Sequence, residues 1–536
     1  MKRVLAIVGF VLALALLHFV AVVPLPYHVS LLGKALAQVS PDLLLCVGIA
    51  LLGVSAGRPW LGAHLASVLL VLVITYRASE AVIDAVFQRP FELGDVQQIP
   101  GLLHLWWNGY AEATQAMFVA SIALGYIVVE LVFAVALRCV TRVAGRPAGA
   151  CAAFAVLQLA VIGLVAASVV QLRVARPFVF ADGAAETLRT VRVWLDPDSR
   201  DEPIRERILA GAERLAPDTG ELLRLERADV HVLVIESYGR VAWRNPEVAP
   251  VVRTAWQQLA GDLERAGFRA LVGTCAPSVR GGGSRLAHME LFTGVRVPDE
   301  RTRELLLASR FMPLPAHFAA AGYHTVEAMP AMDIHWPEGD AFFGFAESLT
   351  QIEFAYRGTT YAFGQMPDQY ALNVLLERCV SKATKPVFTA FVSTTSHYPW
   401  QMIPPFVDDW RIDDATFTRP PLRVHPVGQL GLEDPLIVRQ YIESLDYALR
   451  AAVGFVCRLP RPSLVILLGD HQPPNARAMP PLDYSFDVPL HVFSNRPELL
   501  DPLRTLGLAD GVELSEEPVA FHMAELAPAL LRLYTK

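Results

Sequence analysis

Cysteine is scarce, with six in 536 residues, which excludes a scaffold built on disulfides. Charge is scarce as well: 18% of residues are charged, and acids outnumber bases to give a net charge of −7. A general nucleic-acid partner needs a basic face and is therefore not expected. No internal repeat of fixed period runs through the chain. What the sequence has in excess is apolar character, 53% of residues with a mean hydropathy of +0.37. Abundant Leu, Val, Ile and Phe exclude intrinsic disorder. The length suggests roughly three domain-sized units at ~150 residues each.

The apolar excess is concentrated in the first third. A membrane-spanning helix needs about 20 mostly apolar residues, and five stretches approach that: Val4–Val23, Leu43–Ala56, Trp60–Tyr76, Ala113–Leu137 and Ala148–Leu172. The second and third are short and separated by Gly57-Arg58-Pro59, the pattern of a tight helical hairpin. Lys2 and Arg3 precede the first stretch, which reads as an uncleaved anchor although Ala35-Leu36-Ala37 resembles a cleavage site. Arg58, Arg138, Arg142 and Arg146 fall on the same side as Lys2 and Arg3, while Lys34, Arg77 and Arg89, accompanied by Glu80, Asp84, Glu92 and Asp95, and also Arg173 and Arg176, fall on the other; with Lys2 and Arg3 inside, five spans leave the C-terminal part outside. Glu130 lies within the fourth stretch and reads as a carboxyl facing Ser, Thr or Tyr partners between helices. Trp106-Trp107, in the loop Ser79–Glu112, suits the headgroup layer.

Three segments follow from this pattern: a membrane domain over 1–175, an amphipathic helical linker over 176–228, and an outer domain over 229–536. In the last, short apolar runs alternate with helical patterns. Strands are expected at Val230–Ile235, Ala270–Gly273, Thr325–Met329, Val387–Val392, Leu464–Leu468 and Val488–Phe493. Helices are expected at Leu314–Ala321, Tyr370–Lys382 and Val438–Leu459, and the Pro-rich Arg419–Pro426 reads as an ordered loop. This alternation predicts an α/β sandwich on a mainly parallel sheet, in which ligands sit at the carboxyl ends of strands.

Three of those ends are polar. Val230–Ile235 runs into Glu236-Ser237, Leu464–Leu468 into Gly469-Asp470-His471, and Val387–Val392 into Ser393 to His397. A glycine turn, Gly281-Gly282-Gly283, leads into a helix at Ser284. Glu236, Asp470 and His471 make a mixed oxygen and nitrogen set for one divalent ion, Mn or Zn, with Mg disfavoured by the histidine. Ser284 is placed to be a fourth ligand and a nucleophile. Gly283 allows close approach of an anion to a helix start, and His397 is a candidate donor to a phosphoryl oxygen or leaving group. His288, one turn past Ser284, reads as a packed or capping histidine, and Cys275 as a small buried residue.

Taken together, VLVIESYG (Val232–Gly239), SRLAHMELFTG (Ser284–Gly294), SHYPW (Ser396–Trp400) and LLGDHQPP (Leu467–Pro474) resemble the alkaline phosphatase/sulfatase superfamily. Within it, the chain resembles the lipoteichoic acid synthase-like branch of phosphoglycerol transferases, with the five-span phosphoethanolamine transferases as close relatives. The resemblance implies an outer sandwich of the sulfatase type, with Glu236, Ser284, Asp470 and His471 on the metal, Ser284 as nucleophile, and His397, Trp336, Gly283 and Arg285 toward substrate. The chain departs from the synthases in having Ser where they carry Thr, and Glu338 where they carry an Arg. It lacks the Pro and Arg of a sulfatase signature after Ser284. The implied activity is transfer of phosphoglycerol or phosphoethanolamine from a phospholipid headgroup to an envelope glycan or lipid through phospho-Ser284, at a bacterial cytoplasmic (inner) membrane with the catalytic domain on the periplasmic or extracellular side. A membrane-anchored phosphodiesterase or sulfatase-like hydrolase, and an inactive membrane scaffold or lipid-binding protein, remain as alternatives.

Overall fold

The structure, a computed structural model, describes residues 2–22, 40–87, 112–142, 152, 156, 197–216, 222–361, 363, 366–398, 400, 402–413, 415–417, 435–474, 479, 485–516 and 520–535. The chain divides into two compact units, one of Met1–Ala85 with Pro90–Arg200, the other of Val86–Arg89 with Asp201–Lys536.

The first unit is helical as far as it is described: α1 (Lys2–Val22), α2 (Pro41–Ser55), α3 (Pro59–Phe87) and α4 (Glu112–Thr141). Small residues, among them Ala13, Ala50, Ala63, Ala66 and Ala136, pack these helices together, as helices in an apolar solvent require when lipid tails compete for every larger side chain. The expected hairpin turns at Gly57-Arg58. There the backbones nearly touch, since a Cβ on Gly53 would lie 2.5 Å from Gly62 Cα. Outward, Leu65, Leu72, Leu124 and Ile127 are each more than half exposed, the pattern of a lipid-facing surface.

Among the described residues two stretches are long and apolar enough to cross a membrane, Pro59–Ser79 and Ala120–Thr141. The expectation of five is not met there. The apolar parts of α1 and α2, Ile7–Ala21 and Asp42–Ser55, are shorter. The fifth expected span, Trp106-Trp107, the Ala35-Leu36-Ala37 site and the loop Arg419–Pro426 lie outside the described residues. Glu130 also differs from expectation. Its carboxylate meets His64 Nδ1 at 2.8 Å, while Ser67 Oγ donates to the Glu130 backbone carbonyl at 2.6 Å. Pairing with an imidazole from α3 satisfies a carboxylate in apolar surroundings better than a hydroxyl does.

The second unit is a three-layer α/β/α sandwich. Its strands are β1 (Asp229–Ile235), β2 (Arg269–Ala276), β3 (His324–Ala328), β4 (Glu347–Leu349), β5 (Val387–Val392), β6 (Ser463–Gly469), β7 (Val488–Ser494), β8 (Ala509–Asp510) and β9 (Ala520–His522), in the order β4-β3-β5-β1-β6-β7-β2-β8 with β9 beside β2. The half from β4 to β6 is parallel, but β7 runs antiparallel to both β6 and β2. β2 and β9 point the same way as that half, and β8 runs against β2, so the sheet is mainly parallel, as expected, with β7 and β8 reversed. β2 also runs past the expected Gly273: the space a Cβ would take there is filled by Leu508 Cδ2, 2.5 Å away, so this glycine serves packing and does not end the strand.

Every residue of β1 and β6 is buried, as central strands covered on both faces demand. On one face, Leu233 and Ile235 join side chains of α6 (Ala249–Arg265), α11 (Asp368–Leu375) and α12 (Pro435–Val456). On the other, Val230, Val232 and Val234 join α7 (Ser284–Thr293), α8 (Glu300–Leu307), α9 (Leu314–Ala320), α10 (Pro337–Phe343) and α13 (Leu526–Tyr534). α5 (Pro197–Leu215), expected as part of a surface linker, buries Ile204, Ile208 and Leu215 in this second core. The helix expected over Tyr370–Lys382 instead loosens into a π-turn at Leu376–Val380.

Two consequences are testable. A Cβ on Gly469, the last residue of β6, would lie 1.9 Å from the Tyr238 carbonyl oxygen. Gly469→Ala is expected to destabilise the unit by about 1–3 kcal/mol, as overpacking does, seen as a lower thermal midpoint. Glu327 on β3 is half-buried, and its desolvation, with the charge of Asp340 adding, pushes its pKa up to about 7 from 4.5. The carboxyl is thus protonated in the fold where the unfolded chain would ionise, so stability falls as pH rises from about 4.5 to 7. Glu327→Gln should raise stability at pH 8 by up to about 3 kcal/mol and leave it unchanged at pH 4, measured by denaturant titration.

Candidate active site

β1, β5 and β6 are parallel neighbours, so their carboxyl ends share one edge of the sheet. Glu236 follows β1, Asp470 and His471 follow β6, and the run Ser393 to His397 follows β5. Gln472 brings the glycine turn to the same edge: its N–H donates to the Arg280 carbonyl at 2.7 Å, and Gly281 pairs with it as an isolated bridge. Gly282 and Gly283 hold φ of 66° and 74°, a left-handed path that glycine takes without strain, and α7 starts at Ser284 with no side-chain cap.

The side chains then meet. Ser284 Oγ is 2.9 Å from Glu236 Oε2 and 3.0 Å from His471 Nε2. His471 Nε2 lies 3.3 Å from Glu236 Oε1 and 3.5 Å from Asp470 Oδ2. His471 Nδ1 faces the Gln472 carbonyl at 2.8 Å. A carbonyl only accepts, so Nδ1 carries a proton, and in the neutral imidazole Nε2 turns its lone pair into the cluster. Asp470 Oδ1 accepts from the Ser237 and His471 backbone N–H groups at 2.9 and 2.8 Å, whereas its Oδ2 is buried without a hydrogen-bond partner.

Glu236, Asp470 and His471 offer ligand atoms within 4.8 Å of one another, all from buried residues. Burial, then the Asp470 charge, pushes the Glu236 carboxyl well above its ordinary range. Two buried carboxylates, an imidazole lone pair and an orphaned carboxylate oxygen are the environment a divalent cation satisfies, and the oxygen and nitrogen donors suit Mn or Zn. The residues therefore fit such an ion.

His397 sits in the turn after β5. It stacks on Phe363 with centroids 3.5 Å apart, and its Nδ1 donates to the Tyr398 carbonyl. Burial lowers its pKa to about 4, and it lies near enough for the charges of His471 and Asp470 to act on it. It is therefore neutral near pH 7 and presents Nε2 as an acceptor. Arg285 turns to Glu300 at 2.6 Å, which also binds Arg303 at 2.7 Å. Trp336 has the Arg303 guanidinium 5.9 Å from its ring centre and Phe343 against its edge; these described contacts tie it to that charged row and not to the cluster at Ser284.

Several supporting residues carry no sequence signal. Ser237 holds a left-handed φ of 58°. Its hydroxyl donates to Glu236 Oε1 at 3.0 Å, and its carbonyl accepts from Tyr441 Oη at 2.9 Å. Ser393 Oγ accepts the Glu236 N–H at 2.9 Å. Asp368, fully buried at the start of α11, accepts from Thr394 N, Thr394 Oγ1 and Thr395 N at 2.7, 3.0 and 3.1 Å. The Thr394 carbonyl in turn takes the His397 N–H at 3.1 Å. Following Pro367, Asp368 reads in the sequence as an ordinary helix start; only the return of β5 beside it reveals a clamp on the His397 turn. Cys275, Cys379 and Cys457 are free thiols, and Cys275 is buried as expected.

No family model matches the chain, and no curated protein does. Among solved structures, the chain is similar to a lipoteichoic acid synthase of Listeria monocytogenes, at 13% identity over 58% of this chain and 72% of that one, with a TM-score of 0.38. It is similar to a Streptococcus pyogenes phosphoglycerol transferase solved with sn-glycerol-1-phosphate, at 14% identity over 61% and 80%, TM-score 0.39. It is similar to the integral membrane lipooligosaccharide phosphoethanolamine transferase A of Neisseria meningitidis, at 13% identity over 98% and 95%, TM-score 0.48. These are the kinds of protein that the four sequence motifs resemble.

Asp368→Asn keeps the shape of the clamp but turns one acceptor into an N–H donor facing the Thr395 N–H. Loss of hydrogen bonds to a buried carboxylate is expected to lower stability by about 1.5–3 kcal/mol and to raise diethylpyrocarbonate labelling of His397, read by peptide mass spectrometry. Unchanged labelling would show that the turn holds without Asp368.

Proposed function

We propose that this chain is a membrane-anchored, metal-dependent transferase that moves phosphoglycerol or phosphoethanolamine from a phospholipid to an envelope glycan or lipid through phospho-Ser284. The observation that carries this reading is the placement of Ser284 Oγ within hydrogen-bond reach of both Glu236 and His471, at an uncapped helix start beside an orphaned Asp470 oxygen.

Glu236, Ser284, Asp470 and His471 would hold the cation, which when bound supplies positive charge that lowers the Ser284 hydroxyl pKa and offsets charge on the phosphoryl group. Ser284 Oγ bonds to phosphorus while the bond from phosphorus to the diacylglycerol oxygen breaks, and that oxygen leaves with a proton. The hydroxyl proton of Ser284 has Glu236 Oε2 and His471 Nε2 within reach. Backbone N–H groups at the start of α7, past the open Gly283, favour the phosphoryl anion. An acceptor hydroxyl then attacks phosphorus, the bond to Ser284 Oγ breaks, and His397, neutral with a free Nε2 lone pair, takes the acceptor's proton. Arg285 and Trp336 line the approach in this reading. Arg285 is held by Glu300 and tunes the local charge.

Five membrane helices over 1–175, a linker over 176–228 and an outward-facing domain over 229–536 belong to the same reading, with the protein in a bacterial cytoplasmic membrane. Tethering keeps the domain at high effective concentration beside lipid headgroups. Support comes from the two span-length helices and their exposed apolar faces.

Ser284→Ala should reduce diacylglycerol release from phospholipid vesicles by at least about a thousandfold while the thermal midpoint is kept. Mass spectrometry of the trapped enzyme should find the added headgroup on Ser284. Asp470→Asn should lose bound Mn or Zn. Release that persists in Ser284→Ala would overturn the reading. Release without any transfer to glycan or lipid acceptors would make water the acceptor and the protein a hydrolase.

A further inference from the structure

We infer that His288 is a further nitrogen ligand of the cation at Glu236, Asp470 and His471, an inference that rests on the metal-dependent reading above. Ser284 and His288 stand four residues apart on α7, so both project from one face of the helix. Ser284 already reaches the cluster from that face. The His288 side chain is 13% exposed, and its Nε2 is buried with no hydrogen-bond partner. The atom it faces is Asp470 Oδ2, 3.7 Å away, which is too far for a hydrogen bond.

Asp470 Oδ2 is itself without a partner, while Asp470 Oδ1 is occupied by two backbone N–H groups. The two atoms face each other at ion-pair distance without a hydrogen bond, and a buried polar atom left without one costs about 1–3 kcal/mol unless something sits between them. A cation does so naturally: with metal–donor bonds of about 2.0–2.2 Å, two donors sharing one ion stand at most ~4.4 Å apart. The His288–Asp470 separation falls inside that limit, next to the 3.3 and 3.5 Å that separate His471 Nε2 from Glu236 and Asp470 oxygens.

The donor set thus gains a second imidazole, which biases the site away from Mg and toward Zn, Mn or Co. His288 Nε2 is neither in solvent nor hydrogen-bonded to the protein, and what it faces is a carboxylate oxygen of the cluster.

The test is direct metal binding by the full chain in detergent micelles after removal of bound metal with a chelator. His288→Ala and the polar replacement His288→Gln should each weaken Zn2+ binding by about tenfold or more and change the visible absorption band of bound Co2+, because a nitrogen donor is lost. If both variants bind Zn2+ within about twofold of the wild type with the same Co2+ band, the inference is overturned while the reading of Ser284 stands. If the wild-type chain binds neither ion, both fall together.

Discussion

Two carboxyl groups and an imidazole, all buried, meet at one edge of a sheet, and the rest of the α/β unit is organised around that meeting. Glu236 and Asp470 place oxygens within 4.8 Å, and like charges at that separation repel by about 3 kcal/mol even at an effective dielectric of ~20. The strands β1 and β6 leading to them are fully buried, so relief is local: Ser237, Ser284 and the His471 N–H donate to the two carboxyls, and burial with the Asp470 charge favours the protonated form of Glu236. A divalent cation held there would convert the same repulsion into binding energy, and Ser284 Oγ lies against the same carboxyl and imidazole.

Such an arrangement survives only if the ligands cannot turn away. Their backbone is fixed from several directions. Ser237 bonds to both carboxylates, one through its hydroxyl and one through its N–H. Ser393 caps the Glu236 N–H. Gln472 fastens the glycine turn to the end of β6 through its N–H and reaches Val241 N–H and the Asp487 carbonyl with its side chain. Asp368 pins the turn that carries His397. Outer partners of this kind orient ligands and tune a metal, which is why so many buried polar groups gather here while the two flanking cores are apolar.

The helical unit obeys a different solvent. Its helices approach through alanine and glycine and expose leucine and isoleucine outward, and its one described acid deep in a span finds a histidine.

The sequence by itself determined the apolar helices, the buried strands at β1, β5 and β6, and the polar residues at their ends, because hydrophobic period and strand-end position are local properties. It also placed Glu236, Ser284, Asp470 and His471 in one set, since parallel strands send their carboxyl ends to the same edge. The antiparallel β7 and the longer β2 escaped it, because strand direction is set by partners far away in the chain and Gly273 is explained only by Leu508. So did the clamp at Asp368, the second partner of Glu130 and the side of α7 that His288 faces. Each of these depends on which atoms arrive across the fold to fill a hydrogen bond or a charge, and that is decided by tertiary packing alone.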